Sequence, residues 1–166
     1  PKGSYSSRYA HQTVNFNGEF WLIGGAAAEQ TSGDIYKSSD GVQWQLVSET
    51  APFGSRKNHT LTEFKGRLWV IAGDTSSGLS NDVWVSDDGS SWTLVTEEAA
   101  FTKREGHMVV ATEDALYLMG GDDDNGYWNL KDVWRSTDGD TWSLICLLST
   151  SDAADASRSD TIGGRN

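Results

Sequence analysis

Residues 56–74 read R-K-N-H-T-L-T-E-F-K-G-R-L-W-V-I-A-G-D, and residues 81–95 read N-D-V-W-V-S-D-D-G-S-S-W-T-L-V. The same phrase is written twice more. Upstream, Arg8 and His11 lead to Phe20-Trp21-Leu22-Ile23-Gly24-Gly25, then to Asp34-Ile35-Tyr36, Asp40-Gly41 and Trp44. Downstream, Arg104 and His107 lead to Leu116-Tyr117-Leu118-Met119-Gly120-Gly121, then to Asp132-Val133-Trp134, Asp138-Gly139 and Trp142. His11, His59 and His107 are spaced by 48 and 48 residues. Trp44, Trp92 and Trp142 are spaced by 48 and 50, so the third copy carries two extra residues between Gly121 and Lys131. A period of about 50 residues written in short strands reads as propeller blades.

Within the first copy, residues 11–16 alternate towards a strand, and Asn17-Gly18 is the strongest short hairpin signal there is. Residues 19–25 are apolar on both faces and therefore central. Residues 26–33 read as a loop and 34–38 as a third strand. Asp40-Gly41 reads as a tight turn into a fourth strand at 43–47. The second copy places Lys65-Gly66 and Asp88-Gly89 at the two turns, and the third places Glu113-Asp114 and Asp138-Gly139 there. The expected fold is all-β: four-stranded antiparallel blades over 8–48, 49–96 and 97–148, after a polar lead-in at 1–7 and before a polar tail at 149–166.

These residues resemble a kelch repeat, in the form common in bacterial kelch proteins. The carriers are the double glycine after an aliphatic strand (Gly24-Gly25, Gly120-Gly121, weakened to Ala72-Gly73), the following aromatic (Tyr36, Trp84, Trp134) and the later tryptophan (Trp44, Trp92, Trp142). The resemblance implies a kelch-type β-propeller with one blade per copy. It also implies an extracellular or periplasmic home. The phrase around Ser38, Asp40, Gly41 and Trp44 is similar to the sialidase-type Asp box but one residue shorter, and reads as a related turn rather than as a sialidase. Tryptophans at a fixed repeat position are expected to fill the wedge between blades. The recurring Arg8, Arg56, Arg104 and His11, His59, His107 sit on rings of the repeat. One blade apart, three histidines stand too far from each other to share a small ion, so a common structural hydrogen-bonding role is expected.

The net charge of −11 over 166 residues is spread as −2, −3 and −5 over residues 1–50, 51–98 and 99–148, with −1 in the tail. Such a surface repels phosphate backbones and anionic lipids, which argues against nucleic acid and membrane partners. No apolar run approaches the roughly 20 residues of a membrane span. Cys146 is the single cysteine, at the repeat position of Ser48 and Thr96, and reads as a structural thiol.

Closed propellers have about four to eight blades, and this chain has three copies. An open arc would expose two blade faces rich in tryptophan, beyond the few hundred Å² that a monomer tolerates. The ring must therefore be completed, either by a second copy into six blades or by blades of a longer chain. The variable connections 26–33, 48–55, 74–81, 96–103 and 122–130 fall on one face, the expected binding surface. The most unusual stretch is Asp122-Asp123-Asp124-Asn125-Gly126-Tyr127-Trp128-Asn129. Asp122, Asp124 and Asn125 offer the oxygen density that calcium favours. Tyr127 and Trp128 beside acidic and amide groups such as Asn129 suit sugar stacking. No nucleophile elbow, phosphate loop, H-E-x-x-H or cysteine cluster occurs. The expected function is a non-catalytic module that binds a protein or glycan without a cofactor. The alternative is a piece of a larger carbohydrate-active or other propeller enzyme whose catalytic residues lie outside this chain.

Overall fold

In the computed structural model, which describes residues 5–28, 30–124 and 129–147, every regular element is a β-strand. β1 (Gln12–Phe16) turns through Asn17-Gly18 into β2 (Glu19–Ile23). Both turn residues have positive φ, 52° and 79°, the primed geometry that follows strand twist. The stretch expected as plain loop holds a small hairpin, β3 (Ala26–Ala27) with β4 (Gln30–Thr31). β5 (Ile35–Ser38) and β6 (Gln45–Ser48) complete an antiparallel sheet ordered β1-β2-β5-β6.

The second sheet starts with an interrupted strand. β7 (Arg56–Lys57) and β8 (Thr60–Phe64) both pair with β9 (Arg67–Thr75), and the break falls at Asn58, whose φ is 50°. β10 (Gly78–Ser86) and β11 (Thr93–Thr96) follow. Residues 74–81, expected as a loop, are instead the tip of a long β9–β10 hairpin. Thr75 closes it, accepting the Ser77 N–H at 3.2 Å and donating to the Gly78 carbonyl at 2.8 Å. The third sheet is β12 (Met108–Ala111), β13 (Leu116–Met119), β14 (Asp132–Ser136) and β15 (Ser143–Leu147). Its first turn lacks a glycine, and Thr112 does the work: it accepts the Ala115 N–H and donates to the Ala115 carbonyl, both at 3.1 Å.

The Asp-Gly turns also differ from expectation. Residues 39–44, 87–92 and 137–142 form wider loops, so each fourth strand begins two residues late. The Ser86 hydroxyl accepts the Gly89 N–H at 2.7 Å, and one oxygen of Asp88 accepts the N–H groups of Ser90 and Ser91 at 2.8 and 2.7 Å. Trp92 then donates its indole N–H to the Gly89 carbonyl at 3.0 Å. The other two copies repeat this set around Asp40 and Asp138. The backbone donors of Ser91 and Ser90 hold the Asp88 carboxyl down at about 2.

β8 packs between β1 and β12, so the first strands line the inside of the arc. Among the described residues both apolar clusters lie between blades. Along β9 the side chains alternate. Leu68 and Val70 join Phe16, Trp21, Ile23 and Ile35 in the first seam. Trp69 and Ile71 join Phe101, Leu116, Leu118 and Trp142 in the second. That is why the strand reads as continuously apolar: it faces a neighbour on both sides. Trp92 and Trp142 are 9% and 5% exposed as seam wedges. Trp44, on the outer face of the first blade, is half-buried. Trp21 and Trp69 each lie on a glycine of the next blade. A Cβ on Gly89 would come within 2.5 Å of the Trp21 ring, and one on Gly139 would overlap the Trp69 ring.

Candidate functional site

Each copy carries a clamp on the loop face. Arg56 grips Asp82 with two parallel bonds of 2.9 Å, and its Nη1 also donates to the Ala72 carbonyl at 2.9 Å. Arg8 repeats this with Asp34 and the Gly24 carbonyl, and Arg104 with Asp132 and the Gly120 carbonyl. The start of each blade is thereby tied to the end of its second strand and the start of its third. Trp84 and Trp134 add an indole N–H to the same carboxylates at 2.7 Å. Burial opposes ionisation of Asp82, yet the bonds from Arg56 and Trp84 prevail and hold its pKa below the usual carboxylate range.

An aromatic ring three residues earlier caps each guanidinium. Tyr5, Phe53 and Phe101 stand 5.5, 5.1 and 5.7 Å from the carbons of Arg8, Arg56 and Arg104. The same rings meet Trp44, Trp92 and Trp142 edge-on at 5.4, 5.1 and 5.2 Å. Tyr5 was expected in a loose lead-in, but it belongs to the first blade. The aromatic-x-x-Arg spacing, repeated at 48 and 48, was the available signal.

The histidines do not share a hydrogen-bonding role. His107 Nε2 lies 3.2 Å from the Thr60 hydroxyl, while both ring nitrogens of His59 and Nδ1 of His11 have no partner. What they share is a glycine. A Cβ on Gly25, Gly73 or Gly121 would fall within 2.8, 2.6 or 2.9 Å of the Cβ of His11, His59 or His107. Burial, and then the Arg104 charge, push His107 down to about 3, and burial likewise holds His59 well below the usual range. Both rings are therefore neutral at physiological pH. Among the described residues no group of three or more histidine, cysteine or acidic side chains is placed to hold a metal ion. Cys146 is exposed and unpaired rather than buried in the blade.

The variable connections converge unevenly. Parts of 48–55, 74–81 and 96–103 enclose a cleft of about 430 Å³, lined by Ser55, Ser77, Asn81, Glu97, Glu98 and Lys103 among others. Asn81 donates to the Ala99 and Phe101 carbonyls at 2.9 and 3.0 Å, leaving its Oδ1 without a partner. Arg56 Nε, also on this wall, is unpaired as well, whereas the Nε groups of Arg8 and Arg104 donate to Ser6 and Thr102. A second, acidic hollow of about 370 Å³ is lined by Asp74, Leu79, Glu105, Asp122, Asp123 and Asp124. Asp122 spends one oxygen on the backbone N–H of Asn129 at 2.7 Å. Asn125, Tyr127 and Trp128 lie outside the described residues. Of the expected site, the structure thus places Asp122, Asp124 and Asn129 on the loop face, and sequence reasoning missed the larger cleft beside the second blade.

Successive antiparallel sheets of four or five strands, with their cores between them, their inner strands side by side and their variable segments on one face, define part of a β-propeller. A family model for the KLHDC2/KLHL20/DRC7 Kelch-repeats domain matches residues 2–163, so the chain belongs to the kelch-repeat family. No curated protein matches it significantly.

Proposed function

We propose that the chain is a non-catalytic binding module that grips a protein segment through its loop face, centred on the cleft beside the second blade. The observation that supports this most is a division of labour. The repeated arginines and aspartates are spent on clamps and turns, whereas three variable connections meet at one polar cleft. Glu97 and Glu98 on its rim, the acidic hollow nearby and a net charge of −11 favour a basic segment.

Panning a random peptide library and a glycan array against the chain tests this. Basic peptides should be enriched, and Glu97→Lys with Glu98→Lys should abolish that enrichment while the far-ultraviolet spectrum is unchanged. Retention of the same ligands by the doubly substituted chain would refute the assignment to this cleft.

A further inference from the structure

An asparagine or aspartate followed by glycine carries its own reagent. The backbone nitrogen of the glycine can attack the side-chain carbonyl carbon, and glycine has no Cβ to obstruct the approach. The described residues hold four such pairs: Asn17-Gly18, Asp40-Gly41, Asp88-Gly89 and Asp138-Gly139. A fifth, Asn125-Gly126, lies outside them.

The three Asp-Gly pairs are locked. Each glycine N–H donates to a serine hydroxyl: Gly41 to Ser38 at 2.9 Å, Gly89 to Ser86 at 2.7 Å and Gly139 to Ser136 at 2.8 Å. One oxygen of each carboxylate accepts two further backbone N–H groups, from Val42 and Gln43, from Ser90 and Ser91, and from Asp140 and Thr141. The Gln43 and Ser91 N–H groups hold Asp40 and Asp88 below the usual carboxylate range. An ionised carboxylate is a poor electrophile, so both the attacking and the attacked group are occupied.

Asn17-Gly18 has neither lock. The two residues are the whole loop between the paired Phe16 and Glu19. Both are exposed, and a Cβ on Gly18 would meet nothing within 4 Å. Among the described residues no hydrogen bond holds the Asn17 amide or the Gly18 N–H. The equivalent tip of the second blade, Lys65-Gly66, has a blade on each side and is just as open, with φ values of 52° and 72° against 52° and 79°. The openness of Asn17 therefore belongs to the hairpin tip and not to the place of its blade in the chain.

We propose that Asn17 is a site of spontaneous covalent modification in the folded protein, where its side-chain amide is lost and the first hairpin ages into a mixture of aspartate and isoaspartate. The Gly18 nitrogen bonds to Asn17 Cγ, the Cγ–Nδ2 bond breaks, and the Gly18 proton leaves with the side-chain nitrogen as ammonia. The product is a five-membered imide. Water opens it at either carbonyl, giving aspartate or, with the main chain rerouted through the side chain, isoaspartate. The reagents are the chain and water alone. Each product adds one negative charge. Isoaspartate also adds a carbon to the backbone of a two-residue loop, where loop length fixes strand register. β1 is the inner strand of its blade and packs beside β8, so losing that register loosens the first seam from within. The inference does not depend on which ligand the loop face takes.

The test is peptide mapping by mass spectrometry of the full chain kept in mildly alkaline buffer, native and, in parallel, unfolded in urea. Cleavage after Arg8 and Lys37 separates Asn17 from Asn125 and from all three Asp-Gly pairs. In the native chain peptide 9–37 should gain the mass difference between amide and acid and split into two products. Its rate should stay within about tenfold of the unfolded chain, because a hairpin tip opens at little cost. Isomerisation at Asp40, Asp88 and Asp138 should be about a hundredfold slower in the native chain, because three hydrogen bonds must break first, at about fivefold each. Asn17→Gln should remove the gain from peptide 9–37, and Ser86→Ala should speed native isomerisation at Asp88 about fivefold. Slowing of Asn17 on folding by as much as the Asp-Gly pairs would overturn the proposal. So would a gain that survives in Asn17→Gln, which would place it at Asn15, or no response to Ser86→Ala, since the contrast between locked and open pairs would then be empty.

Discussion

Replacing Asp82 with alanine should be among the most damaging single changes in this chain, and its cost can be reasoned from the clamp. The Arg56 side chain is 1% exposed and that of Asp82 is 15% exposed, and two bonds of 2.9 Å join them. Removing the carboxylate leaves the guanidinium buried with only the Ala72 and Phe53 carbonyls, and strips Trp84 of its acceptor. Breaking a buried pair from one side costs about 3–5 kcal/mol, because the remaining charge keeps its desolvation penalty. For a domain of this size that lowers the melting temperature by about 6–20 °C. The exposed pair Arg67–Asp87, with side chains 44% and 76% accessible, is the internal control, and Asp87→Ala should cost under about 1 kcal/mol.

The assay is urea unfolding at one fixed protein concentration, because any association between molecules would shift the midpoint. Arg56→Met should be combined with Asp82→Leu as the compensated variant, which removes both charges together and should recover most of the loss. A loss below about 1 kcal/mol for Asp82→Ala with an unchanged denaturant slope would refute the reasoning. So would a double variant no more stable than the single one, since the penalty would then not come from a stranded charge.

Gly139→Ala should destabilise by more than about 2 kcal/mol, since its Cβ overlaps the Trp69 ring and its φ is 82°; calorimetry against Gly18→Ala, which has similar φ but open space, separates the clash from the strain. His59 and His107 are held neutral, with folded pKa values below the unfolded one of about 6.5, so their contribution is complete above that value and is lost as pH falls towards the folded pKa. Between about pH 6.5 and 5 the unfolding free energy should therefore drop by up to about 1.4 kcal/mol per pH unit for each ring. Chemical denaturation across that window checks this, and His107→Asn should flatten the slope by the share of one histidine. Asp88→Ala frees the Ser90 and Ser91 N–H groups and should cost about 1–2 kcal/mol by thermal melting, while Asp87→Ala one residue earlier stays near neutral.

The kelch fold was legible because the repeat is written at too many positions to ignore, and the wedge tryptophans could be placed before any coordinates. What escaped was local. Asp40-Gly41 looks like a two-residue turn, but the Asp40 oxygen captures the N–H groups of Val42 and Gln43, so the chain makes a wider loop and the next strand starts late. The polar run Thr75-Ser76-Ser77-Gly78 looks like loop, yet the strands on either side extend to its edges because Thr75 caps the turn itself. The histidines invited a hydrogen-bonding role because polarity is visible in a sequence; that a ring sits where a glycine removes a Cβ is a three-dimensional fact. At the site, the arginines were flagged but not their carboxylate partners, which lie 26, 26 and 28 residues away. The cleft was hidden because its walls come from three separate connections, none of them unusual alone.

Placing every core between blades has a consequence for function. Among the described residues both apolar clusters are shared between neighbouring blades, so the second blade cannot loosen without weakening two seams, and its strands have little freedom to change. The clamps extend that rigidity to the loop face: Arg56, fixed by Asp82, anchors the start of its blade and one wall of the cleft. A substitution at an exposed rim position such as Ser77, Glu97 or Glu98 is then free to alter the rim chemistry without moving the wall behind it. Rigid backing with replaceable edges is the condition under which a small polar cleft can hold a partner with little ordering cost. It also assigns the seams and the loop face to separate tasks, so mutations that weaken the fold and mutations that alter the cleft rim fall at different positions.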